Sequence, residues 1–169
     1  MKKYYFFIIL AFSINILNAQ HHSYHSSEEG NEIKALTSEQ INFYLNGDGM
    51  GLAKVAELNH YPGPKHVLDL ADQLNLDKAQ IDSTQKIFNL MKEKAIHIGE
   101  IIIEKEKQLE QLFNEDKGDI ESVKSLVKEI AEYQGELRLA HLNAHILQKS
   151  ILTSAQISIY DKLRRYIAD

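Results

Sequence analysis

The sequence predicts an all-α protein built on one long antiparallel helical hairpin with shorter helices around it. Two long stretches carry apolar residues every three or four positions. No segment shows the period-two alternation of a half-buried strand, and one helix-starting pattern occurs three times.

The chain opens with the basic pair Lys2-Lys3, an apolar run from Tyr4 to Leu17 and the context Asn18-Ala19. This is the layout of a secretory signal peptide over residues 1–19, and its apolar run is short for a membrane span. Cleavage is expected after Ala19, with Gln20 as the alternative, since Leu17 departs from the small residue preferred three positions before the cut. A periplasmic location follows, without stable membrane insertion. Residues 20–35 are polar and rich in histidine, which predicts a flexible leader, and residues 36–169 form the helical domain.

A short helix is expected from Thr37 to Asn46, broken by Gly47-Asp48-Gly49-Met50-Gly51. Tyr61-Pro62-Gly63-Pro64 is a second breaker, followed by a short helix from Lys65 to Leu74 with Pro64 suited to its first position. The first long helix spans Asp77 to Phe113, with a seam that includes Ile81, Phe88, Ala95, Ile98 and Ile102. The second spans Asp119 to Ile151, with Ile130, Leu137, Ala140, Ala144 and Leu147. Both seams run close to a 3.5-residue repeat, so the two helices should wrap antiparallel about a turn at Asn114 to Gly118, in arms of roughly 50 Å. Two helices cannot cover both sides of such a seam. The short helices are expected to cover part of it and a second subunit the rest, giving a homodimer. A last helix from Thr153 to Ile167 places Ile157, Tyr160 and Leu163 on one face and basic residues near its C-terminal end, where they complement the helix dipole.

The repeated pattern is Leu-(Thr/Asp)-x-x-Gln-Ile, at Leu36 to Ile41, Leu76 to Ile81 and Leu152 to Ile157. Thr or Asp at the N-cap accepts a bond from an orphan amide, Gln three residues on reaches back to the cap's own N–H, and Leu and Ile close a hydrophobic staple. Paired Leu-Thr-x-x-Gln motifs in a small, exported, all-helical chain resemble the Spy/CpxP family of periplasmic chaperones, which includes zinc-resistance-associated, heavy-metal-binding relatives. The matching residues are Leu76, Asp77 and Gln80 at the start of the first long helix and Leu152, Thr153 and Gln156 at the start of the last. Asp77 departs from the family's Thr but caps equally well. The stretch from Asp48 to Leu70 lies outside the family motif and marks a divergent branch.

Cysteine is absent, which excludes a lipoprotein anchor, disulfides and thiolate metal sites. Without Lys2 and Lys3, the 19 basic residues fall seven short of the 24 acidic ones, a net charge of −7 that argues against nucleic acid and anionic membranes as partners.

His141 and His145 stand one helical turn apart, a spacing that chelates a transition metal. The glutamate of H-E-x-x-H is missing, so a zinc protease is excluded. If the chain folds back about Asp116 and Lys117, Glu93 lies opposite Ala140, within reach of His141 as a third ligand; His66 is another candidate. The opposing reading makes both histidines polar boundary residues beside the seam. In the leader, His22 would be the third residue after cleavage at Ala19, and with the terminal amine and two amides it can form a square-planar copper site, flanked by His21 and His25. Asn46, Asp48, Gly51 and Glu57 fall at calcium-loop positions, but Met50 occupies a ligand position and excludes that reading. No Ser/His/Asp grouping has the context of a nucleophile, and an enzyme is not expected. No cofactor is required, with Zn or Cu as the metals the histidines suit.

The resemblance implies an ATP-independent chaperone that binds unfolded or misfolded envelope proteins, in a metal or envelope stress response. The rival expectation is a periplasmic Zn/Cu scavenger or sensor adaptor.

Overall fold

The computed structural model describes residues 33–165. The signal segment 1–19 and the leader histidines His21, His22 and His25 lie outside the described residues. Six helices follow one another: α1 (Ser38–Asn46), α2 (Lys54–Glu57), α3 (Pro64–Asp69), α4 (Lys78–Asn114), α5 (Ile120–Ile151) and α6 (Ser154–Leu163). Among the described residues there is no strand. The hairpin of α4 and α5 is the frame, and the other helices pack against it.

All three copies of the repeated pattern form reciprocal capping boxes. Thr37, Asp77 and Thr153 each accept from the backbone N–H of Gln40, Gln80 and Gln156, and each glutamine side chain accepts from the cap's N–H in return. The staples differ. Leu36 and Leu152 are buried, with Ile41 and Ile157 packed against their clusters, whereas Ile81 is 37% exposed and Leu76 packs instead on the core around Leu74.

The α4/α5 register matches a fold-back about Asp116 and Lys117 to within one residue. Gln148 donates to Thr84 at 3.1 Å, with both side chains fully buried, and Lys105 meets Glu129 at 2.7 Å. Between these points Ala95, Ile98, Ile102 and Leu137 form the central core. Burying an Ile or Leu side chain contributes about 1.5–3 kcal/mol. α1 crosses α4 at Gly99, where a Cβ would strike the backbone of Tyr44, so the two helices approach as closely as backbones allow. Gly47 ends α1 in the left-handed conformation, its N–H bonded back to the last carbonyls.

Three elements differ from the sequence expectation. The last helix, expected to reach Ile167, ends at Leu163 with Arg164 as its C-cap. The helix predicted from Lys65 to Leu74 stops at Asp69, and the chain continues as turns that carry Leu74 into the core and reverse at Asn75, which is left-handed at φ 48°. α2 was not predicted: its single turn follows the glycine-rich breaker and has no side-chain cap to signal it. The packed chain also includes Ile33, inside the expected leader, which is buried with Leu36 and Ile103.

Candidate functional site

Segment 46–66 crosses the middle of the hairpin and encloses a cleft of about 510 Å³ against α4 and α5. Its sequence explains how it lies there. Tyr61-Pro62-Gly63-Pro64 lacks the two amide donors that proline removes, and Pro62, Gly63 and Pro64 are all buried, Gly63 against the His145 ring of α5. The Tyr61 carbonyl meets His145 Nδ1 at 2.8 Å, and Lys149 Nζ sits 3.7 Å from the centre of the Tyr61 ring. Because a carbonyl only accepts, Nδ1 of His145 carries the proton. A Cβ at position 63 would fall 2.9 Å from the His145 ring, so glycine is required for this contact.

The last helix fixes the same segment from the other side. Tyr160 is fully buried; its hydroxyl donates to Glu57 Oε1 at 2.7 Å and lies 3.4 Å from the Gly63 N–H, from which it accepts. Burial and the Glu57 carboxylate push the phenol well above its ordinary range, so it stays protonated as a donor. The Arg164 guanidinium lies 3.9 Å from the same carboxylate oxygen, and His60 pairs with buried Asp161 at 2.8 Å. Nothing in the sequence pattern signals this cluster, because its partners are about a hundred residues apart.

The cleft is mostly apolar, with Met50, Ala53, Leu58, Phe88 and Met91 in its walls. His66, His141 and His145 also line it. His141 is 3% exposed, and its Nε2 has no hydrogen-bond partner among the described residues. Burial, then neighbouring His145, lower its pKa against a smaller opposing effect of Asp48. His66 is lowered likewise, first by burial and then by Arg164, with Glu57 opposing. Both are therefore neutral imidazoles near pH 7.

The structure thus brings three of the candidate metal ligands, His141, His145 and His66, to one cleft. Glu93 is not among its lining residues and is exposed to solvent. Among the described residues no three His, Cys, Asp or Glu side chains are grouped closely enough to hold a metal ion. The two imidazoles of α5 are buried, one of them holding the Tyr61 strap, which the boundary reading of the sequence did not anticipate.

The motif glutamines form a second constellation. Gln80 and Gln156 pair through both amides, at 2.9 and 3.0 Å. Gln80 also donates to the Ile151 carbonyl at 3.0 Å and Gln156 to the Leu74 carbonyl at 3.3 Å. Each therefore caps its own helix and satisfies a carbonyl elsewhere, one of them an orphan at the end of α5. Glutamate would serve the first task but not the second.

A third feature is a groove of about 330 Å³ on the hairpin, lined by Ile87, Leu90, Met91, Leu139, Ala144 and Leu147. Leu90 and Leu139 are 58% and 60% exposed. No helix of the described residues is long and apolar enough to cross a membrane. No protein-family model, curated protein or solved structure matches this chain.

Proposed function

We propose that this protein is an ATP-independent, chaperone-like protein of the Spy/CpxP kind that acts in the periplasm on unfolded or misfolded envelope proteins. The observation that carries the reading is the uncovered apolar groove around Leu90 and Leu139 on a long helical hairpin. Apolar segments of a client are buried reversibly there, while the excess of acidic side chains keeps the complex soluble. The paired Leu-(Thr/Asp)-x-x-Gln copies, joined through Gln80 and Gln156, support the family resemblance. A second copy of the chain on the same hairpin makes the homodimer that extends the client surface.

The test is suppression of aggregation of a chemically unfolded client, without nucleotide, beside light scattering. The protein should suppress aggregation at near-stoichiometric ratios and scatter as a dimer. Leu90→Ser with Leu139→Ser should abolish suppression while leaving the far-ultraviolet circular dichroism unchanged. Full suppression by that variant would refute the reading.

The second reading, a Zn/Cu scavenger or sensor adaptor, is favoured by one observation, the convergence of His66, His141 and His145 on one cleft. Coordination there would need the side chains to draw together. Calorimetric titration of the protein and of its His141→Asn, His145→Asn variant with Zn(II) decides it; metal uptake that the variant leaves unchanged would assign any binding to His21, His22 and His25 instead.

A further inference from the structure

The cleft has features that neither a client surface nor a metal site requires. Its volume, about 510 Å³, is that of a small-molecule site, and most of its lining is hydrocarbon or thioether. His141 lines this apolar space, nearly fully buried, with Nε2 unpaired among the described residues. A buried polar atom left without a partner is costly, by about 1–3 kcal/mol, and a ligand that pairs with it recovers that cost.

The charges lining the cleft oppose those of the molecule. The whole chain is acidic, at −5, yet the cleft carries Lys54, Lys65 and Lys92 against Asp48 and Glu57. Glu57 already accepts from Tyr160 and stands beside Arg164, and Lys65 pairs with Asp69, which leaves Lys54 and Lys92 against Asp48. An organic cation is disfavoured in such a cleft. A multiply charged phosphate is too, because the interior is largely apolar.

We propose that this cleft binds a small monocarboxylate with an apolar body, an alkanoate or aryl carboxylate. Its carboxylate accepts a hydrogen bond from His141 and its hydrocarbon lies among Phe88, Met91 and Leu58. The lysines steer the anion to the opening, and the Tyr61 strap and Tyr160 hold the wall against which it packs.

Calorimetric titration of the protein with octanoate, beside octan-1-ol of the same chain length, tests this directly. Octanoate should bind once per chain and at least tenfold more tightly than the alcohol. His141→Leu should remove the preference for octanoate over the alcohol. Leu58→Asp, at a half-exposed wall position that leaves the core untouched, should weaken octanoate more than octan-1-ol. Equal affinity for the two compounds, octanoate binding indifferent to both substitutions, or tight Zn(II) binding lost in His141→Leu with no octanoate uptake would each overturn the proposal.

Discussion

The two ends of the hairpin are built from the same helices but not held in the same way. At the base, where α4 begins and α5 ends, Val67, Leu74, Leu152 and Tyr160 form a buried cluster and two copies of the repeated pattern lock together through their glutamines. At the tip, Phe113 and Ile120 are 62% and 75% exposed, and the turn is held by polar contacts such as Lys117 to Glu115. The outer half has the first copy of the pattern, whose Gln40 caps α1 but is exposed. The difference teaches that a long coiled-coil-like pair in a small chain is secured where a third layer reaches it, and the short helices decide where that is.

The sharpest way to break the comparison is to empty each end in turn. Leu74→Ala or Leu152→Ala should cost about 2–5 kcal/mol in denaturant unfolding, because each leaves a cavity in the base cluster. Phe113→Ala and Ile120→Ala at the tip should stay within about 0.5 kcal/mol. Similar losses at both ends would mean that the tip is covered in solution, as a dimer through the tips would require.

The glutamines come next in size. Gln80→Glu and Gln156→Glu keep a group that can accept from the cap but lose the donors to Ile151 and Leu74, and each should cost about 1–3 kcal/mol. Their effects should not add, since the two side chains share one pair of bonds. Gln40→Glu, at the solitary copy, should be within about 0.5 kcal/mol of neutral. A costly Gln40→Glu would show that the glutamine's amide donor matters at this copy as well. Smaller again, Asp77→Ala and Thr153→Ala should each cost about 1 kcal/mol as lost N-caps.

Acid separates the regions most gently. His66 and His141 have folded-state pKa values below the unfolded value of about 6.5, so the stability they contribute is present above that pH and is lost as pH falls through the lowered values. At the tip, Asp119 and Glu115 are lowered by their hydrogen bonds to Ser122 and Gln111, and their contribution disappears only below the ordinary carboxylate range. The melting temperature should therefore start to fall between pH 7 and 5.5, and His141→Leu should flatten that decline.

Much of this frame was legible in the sequence because local rules govern it. Three caps, the 3.5-residue seams and the turn at Asn114 located α1, α4, α5 and the start of α6 to within a residue or two, and the fold-back gave the α4/α5 register to within one residue. What was not legible depends on contacts between segments far apart in the chain. Gly99 looks like a mild defect in a helix until Tyr44 is seen to cross it. Tyr160 reads as one more apolar-face residue until its hydroxyl meets Glu57. The spacing of His141 and His145 suggested a chelate, but spacing does not reveal that one nitrogen is already bonded to the Tyr61 carbonyl or that Glu93 is absent from the cleft lining.

The tip turn is also a place where the molecule can be opened. From Asn114 to Asp119 every residue is exposed, and no described core cluster includes any of them. A chain divided there yields two fragments still joined by the inter-helix seam, the base cluster, the contacts of His145 with Tyr61 and of Tyr160 with Glu57, and the glutamine junction, so the halves should reassemble when mixed. A foreign domain inserted at the same point should leave the rest undisturbed. The hairpin is thus a split scaffold, in which reassembly of two separately expressed pieces reports directly on how strongly its closed end recognises itself.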